Sequence, residues 1–140
     1  MRLSTKSRYG TRLILDIAMH CHDGPVRIQD IADRQRISAK YLERIVQILR
    51  RAGFIRSKRG HKGGHVLARP LEEISVGAIV RILEDDPALV ECVQAQDACP
   101  NAEDCLTRRI WKEANDAMYE RLDAITLKSL VACANVGVEL

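Results

Sequence analysis

The sequence predicts a mainly α-helical fold with one small β-hairpin, namely a winged helix-turn-helix domain followed by a long C-terminal helix. Three observations predict it. Residues 28–52 carry apolar residues at helical spacing in two runs separated by a break. A glycine-rich basic loop between two strand-like runs follows directly, and a further apolar helical repeat spans residues 106–125. With 140 residues and 46% hydrophobic content, the chain should form one compact domain with an appendage.

The first helix is expected from Ser4 to Cys21, and the turn sequence Asp23-Gly24-Pro25 marks its end. Its apolar stripe, which should pack on the two helices that follow, comprises Leu13, Ile14, Ile17 and Ala18. Four cationic side chains near its start are either phosphate contacts or a solvated basic face: Arg2, Lys6, Arg8 and Arg12.

Residues 28–52 are predicted to form two short helices joined by a tight turn at Arg36-Ile37-Ser38. Ser38 is a good N-cap for the second helix, and this register turns Leu42, Ile45 and Leu49 inward. The outward face then carries Ala39, Lys40, Tyr41, Glu43 and Arg44. Such a face can hold phosphates and contact base edges in a major groove, although the stretch alone fits a solvated amphipathic helix pair more simply.

Two strand-like runs, Phe54–Lys58 and His65–Arg69, flank the basic loop Arg59-Gly60-His61-Lys62-Gly63-Gly64 after a C-cap glycine at Gly53. Glycines such as Gly60 and Gly63 let the backbone turn at positive φ and approach another surface closely. Arg59 and Lys62 suit a minor groove, whose negative potential attracts cations. A helix-turn-helix followed by this hairpin is a winged helix, which favours DNA binding over the solvated helix pair.

The remaining chain is predicted to be helical around one loop. Ser75 caps a helix over Val76–Asp85, a loop covers Ala88–Asp104, and Thr126 caps a closing helix over Leu127–Ala134. The long helix between them is apolar at Ile110, Trp111, Ala114, Ala117, Met118, Leu122 and Ile125. This stripe should pair with a twofold mate or fold back on its own domain. We therefore expect a DNA-binding domain over 1–86, a cysteine-containing sensor loop over 87–105, and a dimerisation helix with a tail over 106–140.

The positive charge lies in the first half of the chain. Residues 1–69 contain 16 Lys+Arg and 5 Asp+Glu, a net charge of +11, whereas residues 70–140 contain 6 and 14, a net charge of −8. This asymmetry is typical of a nucleic-acid-binding part joined to a part with another role. No apolar run approaches membrane-spanning length and the start lacks a signal-peptide core, so a soluble cytoplasmic protein is expected. Nothing in the sequence resembles a catalytic constellation, so we expect no enzyme and name no catalytic residue.

Three of the five cysteines, Cys92, Cys99 and Cys105, lie within fourteen residues. Thiols so close together in a reducing compartment indicate soft-metal ligands or a redox switch. Zinc sites usually show closer cysteine pairs, and iron–sulfur clusters normally need a fourth ligand. Three unligated cysteines in an exposed loop are the remaining alternative. Cys21 and Cys133 lie in apolar helical surroundings and are interpreted as small buried hydrophobes.

These features together resemble the IscR/NsrR/CymR-type (Rrf-two) family of bacterial winged-helix transcriptional regulators, over nearly the whole chain. The resemblance rests on the three cysteines and on the segments Met1–Tyr9, Ile37–Glu43, Arg59–Gly64, Leu67–Pro70 and Ile125–Leu127. It implies a homodimeric transcriptional regulator that places recognition helices in the major grooves of double-stranded DNA and wings at minor grooves. We expect a palindromic operator, because the dimer helix relates the two subunits by a twofold axis, and we expect a repressor. The resemblance also implies that Cys92, Cys99 and Cys105 hold an iron–sulfur cluster, commonly [2Fe-2S], whose state alters DNA affinity.

Three residues depart from the family pattern. Arg108 stands where the IscR branch has a histidine ligand, and Arg8 stands where the nitric-oxide-sensing branch can supply an acidic ligand. The fourth cluster ligand is therefore unknown. Arg36 occupies a turn position where glycine is usual, which would cost on the order of 1 kcal/mol at positive φ. The leading hypothesis is a cluster-sensing regulator; the alternatives are direct thiol/disulfide sensing and, remotely, a redox enzyme or cluster carrier on a winged-helix scaffold.

Overall fold

The computed structural model describes residues 3–136, so Arg2 lies outside the described residues. The helices are α1 (Thr5–His20), α2 (Ile28–Gln35), α3 (Ala39–Arg51), α4 (Val76–Leu83), α5 (Glu91–Gln94), α6 (Leu106–Asp123) and α7 (Leu127–Val136). Strands β1 (Ile55–Lys58) and β2 (Gly64–Leu67) form an antiparallel hairpin between α3 and α4. The predicted mainly helical fold with a single winged hairpin is confirmed for this part of the chain.

The core lies between α1, the α2–α3 pair, the hairpin and α4. Each element contributes the apolar side of its repeat, as the spacing predicts. The large side chains that are fully buried there are Leu13, Ile14, Ile17, Ile31, Leu42, Ile45, Leu49, Ile55, Ile74, Ile79, Leu83 and Leu127. Leu127 belongs to α7, so the chain returns to the core after α6.

The turn between α2 and α3 is built on Arg36, which adopts the left-handed conformation with φ 54°. This conformation costs a non-glycine residue about 1 kcal/mol. A hydrogen bond from the Arg12 guanidinium to the carbonyl of the preceding Gln35, at 2.7 Å, stabilises the turn. One prediction here is wrong. Ser38 precedes α3 as expected, but its side chain makes no capping hydrogen bond to the helix and stays exposed.

A buried carboxylate joins α1 to α2. Asp16 is 2% exposed, and Arg34 donates to it from two nitrogens at 2.6 to 3.2 Å. Gln35 donates a further hydrogen bond at 2.8 Å. Burial raises the pKa of Asp16, but the hydrogen bonds from Arg34 and Gln35 outweigh it, so that its pKa is lowered overall.

Local capping explains the C-terminal elements. The Ser75 hydroxyl accepts from Ala78 N–H at 3.1 Å and the Thr126 hydroxyl accepts from Ser129 N–H at 3.2 Å, both as predicted. The Ser129 hydroxyl also accepts from Thr126 N–H at 3.1 Å, which completes a reciprocal cap. The segment after α6 is anchored by backbone hydrogen bonds from Val76 N–H to the Ile125 carbonyl and from Leu127 N–H to the Ile74 carbonyl.

The predicted loop over 88–104 instead contains α5 and a short 3₁₀ turn at Gln96–Ala98. Among residues 3–136, no helix is both long and apolar enough to cross a membrane.

Candidate nucleic-acid interface and cysteine segment

Helix α3 has the two faces that the sequence predicts, except that Ala39 and Tyr41, which were expected to face outward, are half-buried against the core. Leu42, Ile45 and Leu49 are buried, whereas Lys40, Glu43 and Arg44 are exposed. A shallow surface hollow of about 370 Å³ at the start of this helix is lined by Ser38, Lys40, Tyr41 and Arg44. Four of the predicted contact residues therefore line one open depression, and two of them, Lys40 and Arg44, carry a positive charge.

Tyr41 is half-buried: its side chain packs against the hydrophobic core and also lines the hollow. Its ring meets the Tyr9 ring edge to face, with the centroids 5.9 Å apart. The guanidinium of Arg12 lies 5.7 Å from the centroid of the Tyr9 ring. The aromatic pair fixes the first turn of α3 on α1, which sets the direction of the outward face.

The wing tip is exposed and basic, and its glycines have specific structural reasons. Gly60 has φ 113°, which side chains rarely adopt, and its carbonyl accepts from Gly63 N–H at 2.9 Å. A Cβ on Gly63 would collide with the Lys58 carbonyl. The tight turn therefore presents Arg59 and Lys62 to solvent on a narrow tip.

Arg69 fastens the base of the wing to the end of α3, a role that the sequence analysis missed. Its guanidinium donates to the carbonyls of Ala52 and Gly53, both at 3.0 Å, and lies 4.7 Å from the Phe54 ring centroid. The last carbonyls of a helix have no partner within the helix. An arginine at the end of the second strand was the available signal.

Cys92, Cys99 and Cys105 are free and half-buried on the segment that leads into α6. Residues 3–136 contain no group of three His, Cys, Asp or Glu side chains arranged to hold a metal ion. Cys105 precedes the first turn of α6, where its sulfur lies 3.1 Å from the Thr107 hydroxyl. The Thr107 hydroxyl, followed by the Arg108 backbone N–H, lowers the pKa of the Cys105 thiol, which favours the thiolate.

One face of α6 holds the preceding segment by hydrogen bonds along its length. Arg108 donates to the Cys92 carbonyl at 2.7 Å, and Asn115 accepts from Leu89 N–H at 3.2 Å. Tyr119 donates to the Pro87 carbonyl at 2.7 Å. The spacing of 108, 115 and 119 keeps these side chains on one side of the helix. The cysteine segment is therefore bonded to α6 itself.

The same face of α6 is fixed to α4 at its end. Arg81 donates to both carboxylate oxygens of Asp123 at 2.7 Å, and its guanidinium lies 4.1 Å from the Tyr119 ring centroid. The Arg81 hydrogen bonds lower the pKa of Asp123. This bidentate pair was not predicted, because charge pairing between distant helices leaves no local pattern.

The opposite face of α6 is apolar and exposed. Leu106 is 71% exposed and Ile110 57%, and the small Ala114 and Ala117 are exposed on the same side; Trp111, 46% exposed, lies at the edge of this face, one turn before Asn115. Contiguous apolar surface of this kind usually marks an interaction site.

The interpretation of Cys21 as a buried hydrophobe is wrong: it lies just beyond α1, where the chain has left the core, and is exposed, whereas Cys133 is half-buried.

A helix-turn-helix with a basic outward face, followed by a basic wing, defines the class of winged-helix DNA-binding transcription regulators. A family model described as Rrf2, an iron-dependent transcriptional regulator, matches residues 3–133. The chain belongs to the Rrf2 family of transcriptional regulators.

Individual relatives agree with this assignment. The protein rrf2 of Nitratidesulfovibrio vulgaris is 51% identical over 136 residues, which cover 97% of this chain and 91% of that protein. The solved structure of T. potens IscR has a TM-score of 0.80 at 34% identity and covers 100% of this chain and 93% of its own. CymR, the global cysteine regulator of B. subtilis, has a TM-score of 0.78 at 35% identity and covers 94% and 97%.

The exposed Arg44 provides a direct test of the α3 face. Arg44→Ala is expected to weaken binding to a duplex selected from a random library by the wild-type protein, by about 1–3 kcal/mol if the fork contacts a base. Arg44→Lys keeps the charge but loses the fork, so it should lose specific affinity while retaining affinity for a mixed-sequence duplex. Lys128→Ala, an equal charge loss on α7, is the control in a fluorescence titration. Unchanged affinity of Arg44→Ala would remove this residue from the interface.

Proposed function

We propose that this protein is a homodimeric DNA-binding regulator, a repressor, whose operator affinity depends on the chemical state of Cys92, Cys99 and Cys105. In this proposal residues 1–86 bind DNA, residues 87–105 sense, and residues 106–140 carry the dimerisation helix. The observation that carries it is the arrangement of α6, which is bonded to the cysteine segment on one face and exposes an apolar stripe on the other. A chemical change in the segment can thereby reach the dimer.

For DNA binding we propose that α3 enters the major groove and the wing approaches the minor groove. Ser38, Lys40, Tyr41, Glu43 and Arg44 would form the first contact surface, with Glu43 accepting from base amino groups. At the wing, the proposed contact residues are Arg59, Gly60, Lys62 and Gly63. Arg2 is proposed as a further phosphate contact from the sequence alone.

Homodimerisation is supported by the exposed face of α6. Ile110 and Leu106 would pack against the same residues of a twofold mate, since a twofold interface uses one patch on both subunits. The neighbouring Ala114 and Ala117 would let the two helices approach closely. Two α3 helices related in this way suit a palindromic site.

The leading sensor hypothesis is an iron–sulfur cluster, which the family description as iron-dependent and the likeness to IscR support. The donor set fits in kind, because three thiols are the ligands that such clusters take. The three thiols do not converge in the described conformation, so the segment would have to close to bind a cluster. Cys92, Cys99 and Cys105 would hold it, and the bound cluster, proposed as [2Fe-2S], would supply one-electron redox chemistry. Arg108, at the position where the IscR branch has a histidine ligand, donates here to the carbonyls of Cys92 and Ala102, and we assign no fourth ligand.

The second hypothesis is direct thiol sensing. It is supported by the free, half-buried state of the three cysteines and by the likeness to CymR. Peroxide oxidation of two of these thiols would form one S–S bond, with two protons and two electrons passing to the peroxide, which leaves as water. The new bond would constrain the segment that leads into α6.

Metal analysis separates these hypotheses. The protein is purified without oxygen, as wild type, Cys92→Ala and Cys133→Ala, and its iron, sulfide, zinc and visible absorption are measured. Equal iron and sulfide in the wild type and in Cys133→Ala, lost in Cys92→Ala, would support the cluster. Metal-free protein whose DNA affinity changes with peroxide, with a disulfide within the segment in a peptide map, would support thiol sensing. A DNA affinity that is the same for wild type and Cys92→Ala, and that does not change with peroxide, would contradict the sensor proposal.

A further inference from the structure

The wing is held not only by its own hairpin but also by the segment before α2. Val26 N–H donates to the His65 carbonyl at 2.9 Å, and His65 N–H donates to the Val26 carbonyl at 2.8 Å. A Cβ on Gly64 would lie 2.6 Å from the Val26 carbonyl oxygen, so the two backbones are in close contact. These contacts fix the middle of the wing but not its tip.

The tip has a separate contact from the next residue along this segment. Arg27, which stands before the first turn of α2, donates from Nη2 to the carbonyl of His61 at 2.9 Å. His61 lies in the middle of the basic loop, between the cationic side chains of Arg59 and Lys62. One guanidinium therefore connects the helix-turn-helix to the most distant part of the wing.

The need for such a contact follows from the composition of the loop. Residues 60, 63 and 64 are glycines, and glycine has more backbone freedom to lose on ordering than any other residue. An unfastened tip would therefore sample many conformations, and DNA binding would have to select one of them. A hydrogen bond from a charged donor is stronger than one between neutral groups, which suits it to this role.

We propose that Arg27 is a positioning residue for DNA binding: it holds the wing tip in register with α2 and α3 so that Arg59 and Lys62 meet the DNA together. The inference rests on the proposed role of the wing in DNA binding. It differs from a phosphate contact by Arg27 itself, because the effect passes through the wing and disappears when the wing cations are absent.

The first test uses the free protein. Trypsin cleaves after arginine and lysine, so mass spectrometry can follow cleavage after Arg59 and Lys62 over time. Arg27→Ala should accelerate cleavage at these sites about five- to tenfold, whereas Lys128→Ala should leave the rate unchanged. Equal rates for wild type and Arg27→Ala, with an unchanged thermal midpoint, would overturn the proposed contact.

The second test is a double-mutant cycle on DNA. Affinity for a duplex selected by the wild-type protein is measured for Arg27→Ala, for the pair Arg59→Ala and Lys62→Ala, and for the triple variant. Arg27→Ala alone should lower affinity about five- to tenfold, and less than about twofold when the wing cations are already absent. The same factor in both backgrounds would overturn the positioning role and indicate a direct phosphate contact. If the wing pair itself has no effect, the wing proposal and this inference both fail, whereas the trypsin result still reports the contact.

Discussion

Ile110→Glu is expected to produce a folded monomer whose affinity for a palindromic operator is at least about a hundredfold lower than that of the wild type. Ile110 is 57% exposed at the centre of the apolar stripe of α6, so the change should cost little in the isolated subunit. In a twofold dimer the two glutamates would lie near each other and lose their hydration. Loss of the linked second half-site removes an affinity gain of about 10²–10⁴.

Sedimentation velocity gives the oligomeric state, and titration of a selected duplex gives the affinity. The matched control is Ile82→Glu on α4, which makes the same substitution at a side chain that is 42% exposed outside α6. This control should remain dimeric and bind DNA. A dimeric Ile110→Glu protein would contradict the proposal that this face of α6 is the subunit interface.

Arg34→Ala is expected to lower the free energy of unfolding by about 2–3 kcal/mol. The substitution leaves the carboxylate of Asp16 buried with Gln35 as its remaining strong donor, and an unpaired buried charge is costly. The side chain of Arg34 is itself 36% exposed, so water can partly replace it, which places the effect below the range of about 3–5 kcal/mol for fully buried pairs. Urea unfolding monitored by circular dichroism measures the change.

The same pair has a pH signature. Because the folded-state pKa of Asp16 is lowered, its stabilising contribution is complete above the pKa of the unfolded chain and disappears as the pH falls through the folded value. The stability gap between wild type and Arg34→Ala should therefore be full at neutral pH and shrink below about pH 4. Lys112→Ala, which breaks an exposed pair with Asp116, should leave the free energy of unfolding nearly unchanged at neutral pH. A gap independent of pH would contradict the assigned pairing.

The elements that the sequence predicts well are those with local signals. Ser4, Ser75 and Thr126 each cap the helix that follows through a side-chain hydrogen bond within three residues, so the helix starts are readable from the chain. Ser38 carries the same signal but forms no such bond. Helix α5 has only four residues, too few to show a period.

The connections between elements were not predictable in this way. Arg27, Arg69 and Arg108 each bind a backbone carbonyl, at sequence separations of 34, 16 and 16 residues. Every residue has such a carbonyl, so no residue type marks the acceptor. The outward residues of α3 and the wing cations were identifiable because amphipathic spacing and glycine content are local properties. The three cysteines were found by spacing, but their relative positions depend on the folded segment.

Helix α6 is fixed at its C-terminal end, so in the proposed mechanism it would act as a rigid arm that turns about that end. Asp123 is held by Arg81, and Ile125 and Leu127 are joined by backbone hydrogen bonds to Val76 and Ile74, whereas the other end begins at Leu106, directly after Cys105. Eighteen residues give an arm of about 27 Å, so a displacement of about 1 Å at the cysteine end rotates the arm by about 2°. Leu106 and Ile110 lie near the end that travels furthest. In the proposed mechanism a small shift among the thiols would therefore reach, at nearly full amplitude, the surface that would meet a second subunit.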